Sequence, residues 1–306
     1  LSQSGWLVKK GDDARVSDIE VREARKPNAL LYHLDGMTAE GSDQKVLVDP
    51  THGGMPVLRS AFKVKGKEIS SATLYATARG IYEVSINGAR VGEDYLAPGL
   101  SQYNKHHYYQ TYDVSPLLKG GKNSIQVSLA EGWWSGDITF GGGNRNYFGD
   151  QLAFLGSLYV QYTDGSSTVV VTDPSDWEVT TNGPVVYASL FQGQVTDARK
   201  SLGDAVWHSA EEMVLDGHVS DATFGQTAPR TDEYDGWQLV RQADPSPRVF
   251  AVLTAQGVTE VRPGVFVYDM GQNFAGIPSI TLRGLQEGQQ LRFRYAEGLY
   301  PDMPES

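Results

Sequence analysis

Residues 78–140 read ARGIYEVSINGARVGEDYLAPGLSQYNKHHYYQTYDVSPLLKGGKNSIQVSLAEGWWSGDITF, and this run decides the fold. In Ile81-Tyr82-Glu83-Val84-Ser85-Ile86 the apolar side chains alternate, so they line one face of a strand. Asn87-Gly88 follows directly and supplies the positive φ angles of a tight two-residue hairpin. Two further strand-like segments, HHYYQTYDV and SIQVSLAEGWW, are set apart by Gly, Asn, Asp and Pro turns. Short strands at this spacing predict an antiparallel β-sandwich.

Working outward, RSAFKVKG, ATLYATARG, AFLGSLYVQYTDG and STVVVTD continue the pattern on both sides. The 34 glycines and 16 tyrosines among 306 residues favour many short strands over helices, so the whole chain reads as all-β. Its length suits two domains rather than one. The expected order is an N-terminal extension over 1–54, a first sandwich over 55–228, a polar, proline-flanked linker over 229–248, and a second sandwich from 249 to 306. The turn Arg283-Gly284-Leu285-Gln286-Glu287-Gly288 is expected to join two strands of that second sandwich.

A net charge of −11 disfavours nucleic acid and anionic membrane surfaces as partners, because both need clustered Lys and Arg to displace counterions. Neutral sugars carry no such penalty. With no cysteine there is no disulfide framework and no thiolate chemistry. The compartment stays open, and a periplasmic or extracellular setting is compatible with it. The chain has no apolar run near bilayer length, no GxGxxG fingerprint, no Walker loop and no nucleophile elbow.

Several features recur together: YEVSINGARVG, LAPG before a tyrosine-rich strand, YDVSPLL with GKNSI after it, EGWWSG, and the downstream GQVTDAR. In this combination the chain resembles the N-terminal domain of bacterial α-L-rhamnosidases of glycoside hydrolase family 78. VYDMGQNFAGIPSITLRGLQEGQQLRFRYAEGL, from Val267, resembles the opening of the β-sandwich that follows in that family. The resemblance implies a jelly-roll-like antiparallel β-sandwich followed by a second one that is incomplete within these residues. It also implies that the chain is part of a longer enzyme, whose α/α barrel carries the catalytic acids and hydrolyses terminal α-L-rhamnosyl units with inversion. The expected partners are an L-rhamnose-containing glycan or glycoside and the rest of the same polypeptide.

No catalytic residue is expected in this chain. Glycoside hydrolysis needs two carboxyl groups flanking the scissile bond, and candidates such as Asp269, Glu297 and Asp302 carry no distinguishing motif. Sugar recognition needs an aromatic surface beside amides and carboxylates, and the first domain has these parts. Trp133, Trp134 and Asp137 fall at a strand end, Asn144 and Asn146 in the glycine-rich loop after Phe140, and Glu93-Asp94 before LAPG. Alternation across a strand would put one of Trp133 and Trp134 in the core and expose the other.

The resemblance further implies a calcium-dependent rhamnose site. Its acidic and amide pair falls on Glu93 and Asp94, and its asparagine on Asn144 or Asn146. Glu93, Asp94 and Asn144 would then be the metal ligands, and calcium the cofactor. Glu-Asp stands where such modules have Asp-Asn, which replaces an amide donor with a second carboxylate. His106 and His107 point to opposite faces of one strand and make a poor metal pair. A different class of reading treats both domains as scaffold without sugar affinity, and a third as a small free-standing glycosidase or lyase.

Overall fold

The computed structural model describes residues 18–23, 26–35, 55–138, 146–149, 151–210, 238–281, 283–284, 291–296 and 298. Among these the chain divides into two compact units between Arg248 and Val249. In the N-terminal segment, β1 (Asp18–Glu23) and β2 (Lys26–Asp35) pair as an antiparallel hairpin.

The first unit holds two sheets. β3 (Val57–Val64), β4 (Ile69–Arg79), β5 (Ile81–Ile86), β6 (Ala89–Arg90), β7 (His106–Asp113) and β8 (Gly121–Ala130) come first in the chain. There follow β9 (Ala153–Tyr162), β10 (Ser167–Val171), β11 (Trp177–Thr180), β12 (Val185–Ser189), β13 (Gly193–Thr196), β14 (His208–Ser209) and β15 (Gln238–Arg241). One sheet runs β10-β9-β4-β7-β15, the other β14-β11-β3-β8-β5-β6, and β12 with β13 forms a separate hairpin.

Alternation makes the sandwich. Leu74, Ala76 and Ala78 of β4 and Leu158 and Val160 of β9 are buried in one cluster with Tyr82, Val84 and Ile86 of β5 and Ile125, Val127 and Leu129 of β8. The two inner faces therefore share one core, and each large aliphatic side chain so buried contributes about 1.5–3 kcal/mol. Outward-facing neighbours are polar or partly exposed, as in Glu83 and Ser124. The expected hairpin is present: Ile86 pairs Ala89 around Asn87 (φ 52°) and Gly88 (φ 81°), the left-handed pair this turn requires.

One strand pairing and one isolated bridge, Glu131 with Ser189, depart from an all-antiparallel sandwich. β15 lies within the stretch read as linker, yet it adds to the sheet edge in parallel register, Leu239 opposite His107 and Arg241 opposite Tyr109. All four of its side chains are exposed, so local sequence carries no burial pattern to announce it. In the second unit β16 (Gly257–Arg262) and β17 (Val265–Asp269) form a hairpin turning at Gly264 (φ 78°). The described residues on either side of the expected Arg283–Gly288 turn, 271–281 and 291–296, join no ladder.

Candidate functional site

At the end of β8 the backbone leaves its sheet and bends through residues 131–138. Trp133 and Trp134 lie in this bend rather than on the strand itself, but they still divide into one half-buried and one buried ring. Trp134 is 2% exposed. Tyr103 meets it edge-on at 5.4 Å and 89°, His107 packs at 5.2 Å, and the Arg79 guanidinium sits 4.6 Å from its centroid. A side chain at Gly149 would come within 2.4 Å of the indole, so that position requires glycine. Trp134 is a packing residue, closed to a sugar. Burial, then Arg79 and His106, pull the His107 imidazole down to a pKa of about 4.

Trp133 faces differently. Phe191, in the turn between β12 and β13, meets its ring edge-on at 5.2 Å and 84°. Next to it Gln192 donates through Nε2 to Asp137 Oδ2 at 3.1 Å. The hairpin is fastened there by Glu131, a buried residue missed in the sequence. The Glu131 N–H donates to the Ala188 carbonyl, the Leu190 N–H donates to the Glu131 carbonyl (both 3.1 Å), and the Tyr187 hydroxyl donates to Glu131 Oε2 at 3.0 Å. Gly136 (φ 92°) closes over this carboxylate, where a Cβ would lie 2.7–2.8 Å from the Glu131 side chain. Asn146 is brought to the same bend: its Oδ1 accepts from the Gly136 N–H at 2.7 Å, and its own N–H donates to the Gly136 carbonyl at 2.8 Å.

Glu93 and Asp94 belong to another loop with different internal chemistry. Asp94 Oδ1 accepts from Arg248 Nε at 2.6 Å, and its side chain is only 10% exposed against 54% for Arg248. The Arg90 guanidinium donates to the Asp94 carbonyl at 2.5 Å and lies 4.4 Å from the Tyr95 ring centroid. The Tyr95 N–H donates to the Pro247 carbonyl at 2.8 Å. Burial foremost, with Asp94 adding to it, pushes the Tyr112 phenol up to about 12. Glu93 is exposed. Among the described residues no hydrogen bond, ion pair or ring contact joins Glu93 or Asp94 to Trp133, Trp134 or Asn146. Asn144 lies outside the described residues.

Calcium needs six to eight oxygens. Among the described residues no three acidic or histidine side chains gather in a way that could hold a metal. Asp94 already spends one oxygen on a guanidinium, so Glu93 and Asp94 do not by themselves fit the ion. What the described geometry gathers is a rim of Trp133, Phe191, Asp137, Gln192 and Asn146. The sequence signal for its missing half lay in FQGQVTDAR, where an aromatic and an amide occupy the hairpin turn.

The first unit is a two-sheet all-β sandwich with an aromatic and amide rim at one loop end. The family model of the α-L-rhamnosidase N-terminal domain matches residues 67–232, and the bacterial α-L-rhamnosidase concanavalin-like domain matches residues 259–304. The chain belongs to the α-L-rhamnosidase family. It is 38% identical over 83% of its length to an α-L-rhamnosidase of Streptomyces avermitilis, covering 23% of that protein, and 27% identical over 86% of its length to one of Formosa agariphila, covering 26%. It thus spans about a quarter of the length of these curated relatives. Among solved structures, the Streptomyces avermitilis α-L-rhamnosidase complexed with L-rhamnose aligns with a TM-score of 0.56 at 36% identity, over 72% of this chain and 20% of that one. The Aspergillus terreus enzyme aligns with a TM-score of 0.58 at 34% identity, over 76% and 25%.

Proposed function

We propose that this chain supplies the non-catalytic β-sandwich portion of an α-L-rhamnosidase, and that the rim at the end of β8 holds L-rhamnosyl units for hydrolysis elsewhere in the enzyme. The observation that carries this reading is the convergence of Trp133 and Phe191 with Asp137, Gln192 and Asn146 in a chain of this family. A half-buried indole offers a face to the C–H groups of a pyranose, a carboxylate accepts from its hydroxyls, and primary amides donate to or accept from them. Binding of this kind raises local substrate concentration and adds no chemistry. Hydrolysis with inversion, by an acid and a base carboxyl group, belongs in this reading to residues outside this chain.

Calcium enters only as an ion that would organise the loops. To use Asp94 it would have to displace Arg248, or share the carboxylate with it. The test is calorimetric titration of L-rhamnose into the purified chain, with calcium and again after chelation. Heat lost in Trp133→Ala supports the rim, and dependence on calcium supports the ion. Absence of heat under both conditions, with no binding to a rhamnose-bearing oligosaccharide, sinks the sugar reading and leaves a scaffold. The same preparation is expected to release no product from an aryl α-L-rhamnoside.

A further inference from the structure

The chain has two Asn-Gly sequences among its described residues, and they are chemically unlike. Asn87 is locked: its Nδ2 donates to the Leu117 carbonyl and to Asn123 Oδ1 at 2.8 Å each, and its Oδ1 accepts from the Ser124 N–H at 3.1 Å. Asn182, between β11 and β12, is exposed, and its carboxamide makes one hydrogen bond, Oδ1 accepting from Lys200 Nζ at 2.8 Å. Among the described residues no hydrogen bond engages the Gly183 N–H.

We propose that Asn182 is a site of spontaneous deamidation assisted by Lys200. Gly183 is buried, so the step waits on a local opening of the turn that admits base; the Gly183 nitrogen then gives up its proton and attacks Asn182 Cγ, with no Cβ of its own to obstruct the approach. The new C–N bond forms, the departing Nδ2 takes a proton back from solvent, the Cγ–Nδ2 bond breaks, and ammonia leaves. The resulting succinimide takes up one water at either carbonyl and opens to aspartate or isoaspartate. No oxidant or reductant is involved. Negative charge develops on Oδ1 in the addition step, and that is the atom the Lys200 ammonium already holds. The product carboxylate is then paired with the same cation. At Asn87 the leaving nitrogen is held by two acceptors and the carbonyl by a backbone donor, so the carboxamide cannot swing toward Gly88.

The position has a structural consequence. Pro184, next in the chain, accepts from the Asp197 N–H at 2.8 Å, and β12 begins at Val185. An isoaspartyl link lengthens the backbone at the base of the hairpin that carries Phe191 and Gln192.

The experiment is incubation of the whole chain in mildly alkaline buffer, with peptide mass mapping and isoaspartyl detection over time. The expected result is conversion of the Asn182 peptide roughly tenfold faster than the Asn87 peptide, a rate ratio worth about 1.4 kcal/mol in activation free energy. Lys200→Met is expected to slow the reaction at Asn182 several-fold and leave Asn87 unchanged. Lys200 is exposed, and an unchanged melting temperature will confirm that the variant folds. Denatured chain gives the intrinsic rates of both sites. Equal rates in the folded chain, or faster conversion at Asn87, overturn the site. An undiminished rate in Lys200→Met overturns the role of the lysine.

Discussion

The rim at the end of β8 and the loop at Glu93–Asp94 were expected to serve one site, yet they satisfy their polar groups differently. In the Asp94 loop the carboxylate is nearly enclosed and its charge is met by Arg248, while Arg90 and Tyr95 N–H tie off the neighbouring backbone. In the rim Trp133 is half-buried, Asp137 and Gln192 bond one another at the surface, and the enclosed carboxylate, Glu131, works underneath as a fastener. Both loops engage their polar groups; the Asp94 carboxylate is enclosed, whereas the Asp137–Gln192 pair lies where solvent reaches it. Chemical type alone does not distinguish the two, because both loops offer acids beside aromatics.

That contrast breaks first under the rim. Trp134→Ala is expected to cost about 3–5 kcal/mol in urea unfolding, the range for a large buried aromatic, and to abolish rhamnose heat with it. Next comes His107, whose pKa is about 4 in the folded chain and near 6.5 when unfolded. As pH falls, the unfolded chain takes the proton first. The stability this residue contributes is therefore complete above about pH 6.5 and lost as pH drops through 4, about 3 kcal/mol in all. His107→Gln should flatten that part of the pH profile of melting. A second acid stage lies lower, because Asp113 and Asp173 are held below the usual carboxylate range by hydrogen bonds from Ser115 and Ser175, and protonating them forfeits those bonds.

The remaining two predictions sharpen the comparison by crossing it. Trp133→Ala should weaken rhamnose binding by about tenfold, or 1.4 kcal/mol, with a smaller change in unfolding free energy. Asp94→Asn should do the reverse: a stability loss of about 1 kcal/mol, kept modest because Arg248 can return to solvent, and unaltered rhamnose heat. If Asp94→Asn removed binding while Trp133→Ala spared it, the two loops would have to exchange roles.

Local features were legible in the sequence and distant pairings were not. Asn87-Gly88 and the alternation of Tyr82, Val84 and Ile86 fix conformation within a few residues, and the structure has them as read. The division of labour between Trp133 and Trp134 was also readable, although it arises in a bend rather than a strand. Phe191 reaches Trp133 through the Glu131 bonds that seat its hairpin, and Arg248 reaches Asp94 across 154 residues, just after β15 joins the sheet edge. Nothing near either residue marks its partner. β15 was hidden for another reason: a strand paired by backbone alone, with every side chain exposed, has no hydrophobic period to detect.

That strand also sets a schedule. β7 waits for an edge partner whose residues lie about 132 positions later, the separation between Gln110 and the Gln242 that bonds it. At a translation rate of 5–20 residues per second, that interval lasts on the order of ten seconds. During it the nascent sheet shows the ribosome's surroundings a row of unpaired amides on β7. Slower passage through this interval lengthens that exposure and faster passage shortens it, while the finished protein keeps the same contacts.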